Sequence, residues 1–239
     1  TADPLAEGDE FSQHAVTLDG YYIDLYEVTV AQYAVFINEL DGYVSKCNGF
    51  LCLATHFETL NSYLTDDLAG YIAQPSFEKY PINNVTWHGA DAYCHWVGGR
   101  LPTEAEWEFA AGGGDGRTYP WGSTEPADNL AVFGDSTFAT LQAVDSLPDG
   151  VSPFGLFHMV GNVREWVQDG YDTIYYERGE TVNPSAPGLN NYSERVLRGG
   201  GYRSSVADLR ITNRDSERAV EFQGIPDVGF RCVVPAEGN

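Results

Sequence analysis

The chain has 239 residues, 43% of them hydrophobic and 13% aromatic, which suffices for a globular core and excludes the apolar-poor class of disordered chains. Its 35 acidic and 13 basic residues give a formal charge of −22. This charge argues against nucleic acid and anionic lipid surfaces as partners, because both require clustered Lys and Arg. No apolar run approaches the ~20 residues that a membrane-spanning helix needs.

The first 80 residues predict strands, one helix and an irregular segment. Residues 15–18 and 21–28 read as strands. The Thr29 hydroxyl and the Gln32 side chain form a capping box, so a helix is expected to run from there to about Leu40. Its apolar spacing buries Val30, Tyr33, Ala34 and Ile37. Residues 41–80 are expected to be irregular.

Two more helices follow. Thr86 is a suitable cap for a helix that runs through Val97 and stops at the glycine pair 98–99. Thr103 and Glu106 form a second capping box, which opens a short helix through Ala111. Acids in a first turn favour the helix dipole, so we interpret the glutamates of this helix as structural rather than catalytic. They are Glu104, Glu106 and Glu108.

The second half of the chain changes in composition. Gly, Pro, Asn and Asp recur every few residues from 112 to 201, which predicts long loops with few helical runs. Such a region must be stabilised by interactions other than the regular hydrogen bonds between paired strands. Residues 196–202 and 229–234 read as two late strands. With no repeat and no linker, we expect a single domain over residues 1–239. The five tryptophans are expected to pack its core: Trp87, Trp96, Trp107, Trp121 and Trp166.

Four cysteines allow three ways of forming two disulfides. Cys47 and Cys52 flank a turn-forming Asn-Gly pair, and their spacing can close a small ring. Cys94 and Cys232 lie far apart, so a bridge between them would join a helix to the last strand. The alternative is four free thiols in a cytosolic protein. Zinc is not favoured, because no second Cys/His pair stands at matching spacing.

Five ordered motifs carry a family resemblance. Together they resemble the formylglycine-generating enzyme, or sulfatase-modifying factor, family over residues 22–233. The resemblance implies an α+β fold of the modified C-type-lectin-like kind, with a small antiparallel sheet, few regular elements, structural calcium and a Cys94–Cys232 disulfide. The motifs are AYCHWVGGRLPTEAEWE (92–108), YPWG (119–122), FGLFHMVGNVREW (154–166), RGGGY (198–202) and GFR (229–231).

The resemblance also implies two Ca²⁺ sites built from hard oxygen ligands. The first aligns with Asn129, Leu130 and the carbonyl of Phe138. Ser136 falls where the family has an Asp, and Asp135 supplies the carboxylate if the loop shifts by one residue.

The second implied Ca²⁺ site aligns with His158, Gly161, Val163 and Glu165. Here His158 replaces the usual Asn or Asp. A neutral imidazole is a poor calcium ligand and a better one for transition metals.

The chain departs from the family at the catalytic centre. Catalytic members carry two cysteines, five residues apart, that bind copper and oxidise a substrate cysteine to formylglycine. Ser204 and Leu209 stand at the matching positions, and neither supplies a thiolate. We therefore expect no copper and no formylglycine-generating activity.

Three functions remain open. The first is a calcium-stabilised binding domain for an unknown protein or small molecule, with its recognition surface in loops near residues 201–228. Aromatic, Arg and Ser side chains are typical of such surfaces. The residues expected to form it are Tyr202, Arg203, Ser204, Ser205, Asp208, Asn213 and Arg214.

The second possibility is an enzyme with altered oxidative or biosynthetic chemistry, similar to the family member used in siderophore maturation, which also lacks the cysteine pair. Asp208, Arg210 and Glu217 are its candidate acid, base or metal-binding groups. The third is a structural domain of a cell-envelope assembly. Disulfides and calcium together favour a secreted, periplasmic or cell-surface location.

Overall fold

A computed structural model describes residues 5–11, 13–40, 46–54, 59–67, 69–134, 140–191, 193–220 and 224–236. It confirms the α+β class, and within these ranges three helices and eight short strands lie among long loops. The helices are α1 (Val30–Glu39), α2 (Trp87–Trp96) and α3 (Glu104–Gly112). The strands are β1 (Tyr21–Ile23), β2 (Leu64–Asp66), β3 (Tyr71–Ala73), β4 (Arg164–Gly170), β5 (Glu194–Arg198), β6 (Arg214–Arg218), β7 (Val228–Gly229) and β8 (Val233–Pro235).

The helices begin where their caps predict. Thr29 and Thr103 each form the expected capping box, and Thr86 accepts a hydrogen bond from the Gly89 backbone amide. Helix α3 ends at Gly113, which adopts a left-handed conformation at φ 69°. The face of α1 predicted to be apolar is buried, together with Phe36. Local hydrogen bonding therefore decides where each helix starts.

The strands arrange into three sheets, the largest in the order β6-β5-β4-β7. In it β4 and β5 are antiparallel, β5 and β6 are antiparallel, and β4 pairs with β7 in parallel. Strands β1 and β8 form a separate antiparallel pair, as do β2 and β3. The C-terminal half thus supplies the main sheet, and its connecting loops lie beside the sheet's edges.

Several sequence expectations were wrong in detail. Residues 15–18 form no strand, and only Thr17 makes an isolated bridge, to Val182. The strand predicted over 21–28 is regular only to Ile23, because the carbonyls of Asp24 and Leu25 accept hydrogen bonds from the Arg231 side chain. Strands β2 and β3 lie in the segment expected to be irregular, and β4 in the region expected to lack regular ladders.

Two large apolar clusters form the core. One packs α1 and α2 against Trp166 and Phe230 and includes both disulfides. The other surrounds Trp107 and includes Leu209. Trp87, Trp107 and Trp166 are buried as expected, whereas Trp96 is 45% exposed at the end of α2 and Trp121 is only partly buried.

Buried arginine–carboxylate pairs tie the loops together. Arg198, Arg210 and Arg231 are among the largest fully buried side chains. Arg198 bonds the Glu108 carboxylate at 2.6 Å, and Arg210 reaches Glu10 at 2.7 Å. A buried charge is tolerated only when it is paired and hydrogen-bonded. These ion pairs connect loops that regular strand pairing does not connect, as the loop-rich composition requires.

Both disulfides are present, Cys47–Cys52 and Cys94–Cys232, with sequence separations of 5 and 138 residues. The first pairing follows the small ring that the sequence suggests, and the second is the pairing that the family resemblance implies. No helix among the described residues is long and apolar enough to cross a membrane.

The two disulfides should differ in their contribution to stability. In the chain-entropy model a loop of the longer span contributes about 5 kcal/mol and one of the shorter span about 2 kcal/mol. We expect the Cys94→Ala/Cys232→Ala variant to lose more unfolding free energy in urea than the matched Cys47→Ala/Cys52→Ala variant. An equal or reversed order would contradict the entropic account.

Candidate functional site

A surface cavity of 380 Å³ lies where the loops after β5 meet the edge of the main sheet. Its volume falls in the range of small-molecule sites. Five of the seven residues predicted for recognition line it: Arg203, Ser204, Asp208, Asn213 and Arg214. The other lining residues were missed from the sequence: Glu7, Arg164, Gly200, Asp215 and Asp227.

The loop after β5 is shaped by Gly200, which has φ 65°. A Cβ at this position would lie 3.0 Å from the Asp208 carbonyl oxygen, so a side chain would meet both strain and contact. The adjacent Gly201 amide donates to Ser204 Oγ at 3.0 Å. The tight turn therefore places Ser204 and Asp208 together at the cavity wall.

The other two predicted residues support the wall instead of lining it. Tyr202 is buried, and the Arg203 guanidinium lies 5.0 Å from the centre of its ring. Burial raises the pKa of Tyr202, while Arg203 opposes the rise. The Ser205 amide and hydroxyl both donate to Asp208 Oδ2, at 2.8 and 2.9 Å, which caps the short 3₁₀ turn Val206–Leu209.

Ion pairs fix three further lining residues of the cavity, Arg164, Asp215 and Asp227. Arg164 donates from Nη1 to Asp215 Oδ2 at 2.7 Å and from Nη2 to Asp227 Oδ1 at 3.0 Å. Burial alone lowers the pKa of Arg164, but these two carboxylates outweigh it and the net shift is upward. Its Nε is buried and has no hydrogen-bond partner among the residues that the structure describes.

Arg214 also lines the cavity and is held by an acid. Its Nε and Nη2 donate to the two carboxylate oxygens of Glu104, at 2.8 and 3.0 Å, and Nη1 donates to the Asp9 carbonyl. The pKa of Arg214 is raised, because the attraction of Glu104 exceeds the cost of burial. Both arginines are therefore held by the protein's own acids.

The catalytic positions of the family are filled differently here. Ser204 borders the cavity, whereas Leu209 is fully buried in the cluster around Trp107. Of the three acid–base candidates, Asp208 alone lines the cavity, and Arg210 is buried against Glu10. Neither Ser204 nor Leu209 supplies the soft sulfur ligand that copper prefers.

The first implied calcium site is only partly within the described residues, because Asp135, Ser136 and Phe138 lie outside them. Asn129 Nδ2 bonds Asp149 Oδ2 at 3.2 Å, and the Leu130 carbonyl faces Gly150, where a Cβ would lie 1.8 Å from its oxygen. Carboxylate, amide and carbonyl oxygens are the ligand atoms that calcium takes, and this neighbourhood contains one of each. Asp149 is an acid that the sequence reasoning did not include.

The second implied site suits calcium less well. Both carboxylate oxygens of Glu165 accept from Arg231, at 2.7 to 3.0 Å, and Oε2 also accepts from Trp107 Nε1 at 2.8 Å. His158 bonds Ser146 Oγ at 3.1 Å. Burial, aided by Arg231, lowers the pKa of His158 to about 4. Arg231 thus already neutralises the one carboxylate of this set.

The remaining residues of the second set contribute backbone. Gly161 has φ 80°, and a Cβ there would lie 2.5 Å from the Val132 carbonyl oxygen. The Val163 amide donates to Glu27. Across the described part of the chain, no three His, Cys, Asp or Glu side chains are grouped closely enough to hold a metal ion.

The fold and this site together define a class: a small α+β domain, tied by buried ion pairs, that carries a charged loop cavity. The model of the sulfatase-modifying factor enzyme 1-like domain matches residues 2–236. The chain therefore belongs to the formylglycine-generating enzyme, or sulfatase-modifying factor, family.

Relatives and solved structures agree with this membership. The chain is 31% identical to the formylglycine-generating enzyme of Streptomyces coelicolor, covering 98% of this chain and 87% of that protein. It is 34% identical to the serine/threonine-protein kinase Pkn1 of Chlamydia trachomatis over 94% of this chain. It spans only 34% of that kinase's length. The structure of PvdO from Pseudomonas aeruginosa shares the fold, with a TM-score of 0.72 at 23% identity, covering 98% of this chain and 88% of that one.

The Arg231–Glu165 pair beside the second implied calcium site can be tested by mutation. We expect Arg231→Met to destabilise the fold by about 3–5 kcal/mol, because Glu165 would stay buried without its partner. Urea denaturation measures the change. The double variant Arg231→Met/Glu165→Gln should recover part of the loss. If both variants lose the same free energy, the unpaired carboxylate is not the cause.

Proposed function

We propose that this chain is a binding domain of its family, with a recognition surface in the loops near residues 201–228, and that it does not generate formylglycine. The observation that carries the proposal is the cavity whose wall includes Arg203, Ser204 and Asp208. The missing thiols at Ser204 and Leu209 support the second half of the proposal. The ligand is a protein or a small molecule.

The cavity's construction suits binding. Its charged side chains come from the N-terminal segment, β4, β6 and the loops before β7. Ion pairs that join β4, β6, α3 and the loop before β7 hold four of them in place: Arg164, Arg214, Asp215 and Asp227. A wall fixed in this way loses little side-chain freedom when a ligand enters, and preorganisation of this kind favours affinity.

A second candidate function is an enzyme with altered chemistry. It is favoured by the relatives near 30% identity, which are named formylglycine-generating enzymes. Under this alternative Asp208 is the residue placed to exchange a proton with a bound substrate. The weak point is that Arg210 lies buried against Glu10 and does not line the cavity.

The binding proposal is tested with a displayed peptide library and a small-molecule fragment set, both screened against the folded chain. We expect ligands that shift the backbone amide resonances of Arg203, Ser204 and Asp208. Ser204→Trp should abolish their binding, because the indole fills the cavity. Ser123→Trp is the matched control, since Ser123 is exposed and does not line the cavity.

Two results would contradict the proposal. Ligands that bind Ser204→Trp as well as they bind the wild type would place recognition elsewhere. Conversion of the cysteine of a Cys-x-Pro-x-Arg peptide to formylglycine above background, with or without added copper, would show that the chain keeps the family's catalytic activity despite Ser204 and Leu209.

Calcium is the cofactor that we propose, held at the first site by Asn129, the Leu130 carbonyl and a carboxylate. Asp149 supports this assignment, because its carboxylate already lies within hydrogen-bond distance of Asn129. Bound calcium would offset local repulsion in a chain of charge −22 and restrain its long loops. We propose a secreted, periplasmic or cell-surface location on the same grounds, together with the two disulfides.

Chelation should lower the melting temperature by several degrees, and calcium, but not magnesium, should restore it. A ligand specific to the folded state contributes about 2.7 kcal/mol at a hundredfold excess over its Kd. Asn129→Ala and Asp149→Asn should weaken the response, while Glu165→Gln should leave the calcium response intact. An unchanged melting curve with chelator, and no calcium in the purified protein, would refute the proposal.

A further inference from the structure

We infer that the ligand of the cavity presents a cationic group, an ammonium or a guanidinium, to its carboxylates. This inference rests on the proposed binding function and adds the chemical class of the ligand. It is carried by the charge inventory of the cavity wall and by the way its arginines are already paired.

The cavity wall carries charges of both signs. Three lining side chains are arginines, at positions 164, 203 and 214. Four are carboxylates: Glu7, Asp208, Asp215 and Asp227. Glu104 does not line the cavity and pairs with both Arg214 and Arg198, so it is not counted. Among the described lining residues, three arginines against four carboxylates leave one negative charge in excess.

Two of the arginines are poorly placed to receive an anion. The two terminal nitrogens of Arg164 donate hydrogen bonds to Asp215 and Asp227, and Arg214 donates to both carboxylate oxygens of Glu104. An anionic ligand would have to displace carboxylates that are already in good geometry. Displacing Asp227 or Glu104 would leave a mostly buried acid unpaired, which is strongly destabilising, whereas Asp215 is 47% exposed.

The third arginine, Arg203, is exposed, and its guanidinium lies 5.0 Å from the centre of the Tyr202 ring. Solvent screens an exposed charge, so Arg203 offsets the excess of carboxylates less than a buried arginine would. Asp208 uses Oδ2 to cap Ser205, and Asp227 uses Oδ1 for Arg164. A carboxylate has about four acceptor sites, so each retains capacity for a ligand's N–H donors.

The chain as a whole reinforces this preference. A charge of −22 produces a field that attracts cations and repels anions before contact. At 380 Å³ the cavity can admit a group of side-chain size. Size, local charge and long-range field therefore favour the same class of ligand.

The test compares four probes of similar size at low ionic strength: the Nα-acetyl amides of arginine, lysine, glutamine and glutamate. We expect the two cations to shift the amide resonances of Ser204 and Asp208 with an affinity at least tenfold above that of the neutral glutamine probe. The glutamate probe should not bind. Raising the salt to 0.15 M should weaken the cations, because exposed charges are then screened over about 8 Å.

Variants separate local charge from the overall field. Asp208→Asn keeps an oxygen that can cap Ser205, and Asp227→Asn keeps an acceptor for Arg164. Each should lower the affinity for the arginine probe by about threefold to tenfold. The control is Glu125→Gln, which removes the same charge at an exposed position outside the cavity. The affinity of Glu125→Gln for the arginine probe should match that of the wild type.

Equal binding of the neutral probe, preference for the anion, or no cation binding at all would overturn the inference. These results leave the proposed binding function at this cavity intact. That function is contradicted if library ligands bind Ser204→Trp as well as they bind the wild type. If library ligands occupy the cavity and are neutral or acidic, the function stands and the cationic class is wrong.

Discussion

The buried guanidinium of Arg231 is the contact on which the surrounding structure depends. It donates to the Glu165 carboxylate in β4, to the carbonyls of Asp24 and Leu25 after β1, and to the Phe157 carbonyl in the central loop. Three distant segments thus meet on one side chain. Because an unpaired buried charge is so unfavourable, arrangements that separate these segments from Arg231 are disfavoured. Arg231 therefore restricts where the three segments can lie.

The same solution recurs toward the candidate site. Arg198, Arg210 and Arg214 each collect acids or carbonyls from separate parts of the chain, and the last of them borders the cavity. Recognition loops normally need a rigid scaffold to hold them. Here the scaffold is a set of ion pairs that continues from the core to the surface, so the chemistry that stabilises the loops also provides the charges a ligand meets.

Local signals made much of the fold predictable. Capping boxes at Thr29 and Thr103 depend on residues three apart, so the sequence alone locates both helix starts. Strand β4 was missed because its sequence, REWVQDG, does not alternate between apolar and polar residues. Two of its buried positions are the acids Glu165 and Asp169, whose hydrogen-bond partners lie far along the chain. The motif resemblance supplied the Cys94–Cys232 bridge, which spacing left open. At the site, the predicted lining residues all lie within residues 203–214, whereas Arg164 and Asp227 were not predicted, since only the fold brings them to the cavity.

The pairing of the first and last strands has a mechanical consequence. Tyr21 lies opposite Pro235 and Ile23 opposite Val233, so tension applied directly before β1 and directly after β8 would act on the same end of this antiparallel pair. The strands would then separate one residue at a time, which resists force weakly. The Cys94–Cys232 bridge sits just behind β8 and spans 138 residues. The bridge would prevent the enclosed segment, whose fully extended length is about 450–500 Å, from being stretched. Under load the chain before Cys94 would thus extend first, while residues 94–232, which carry every cavity-lining residue except Glu7, kept their length.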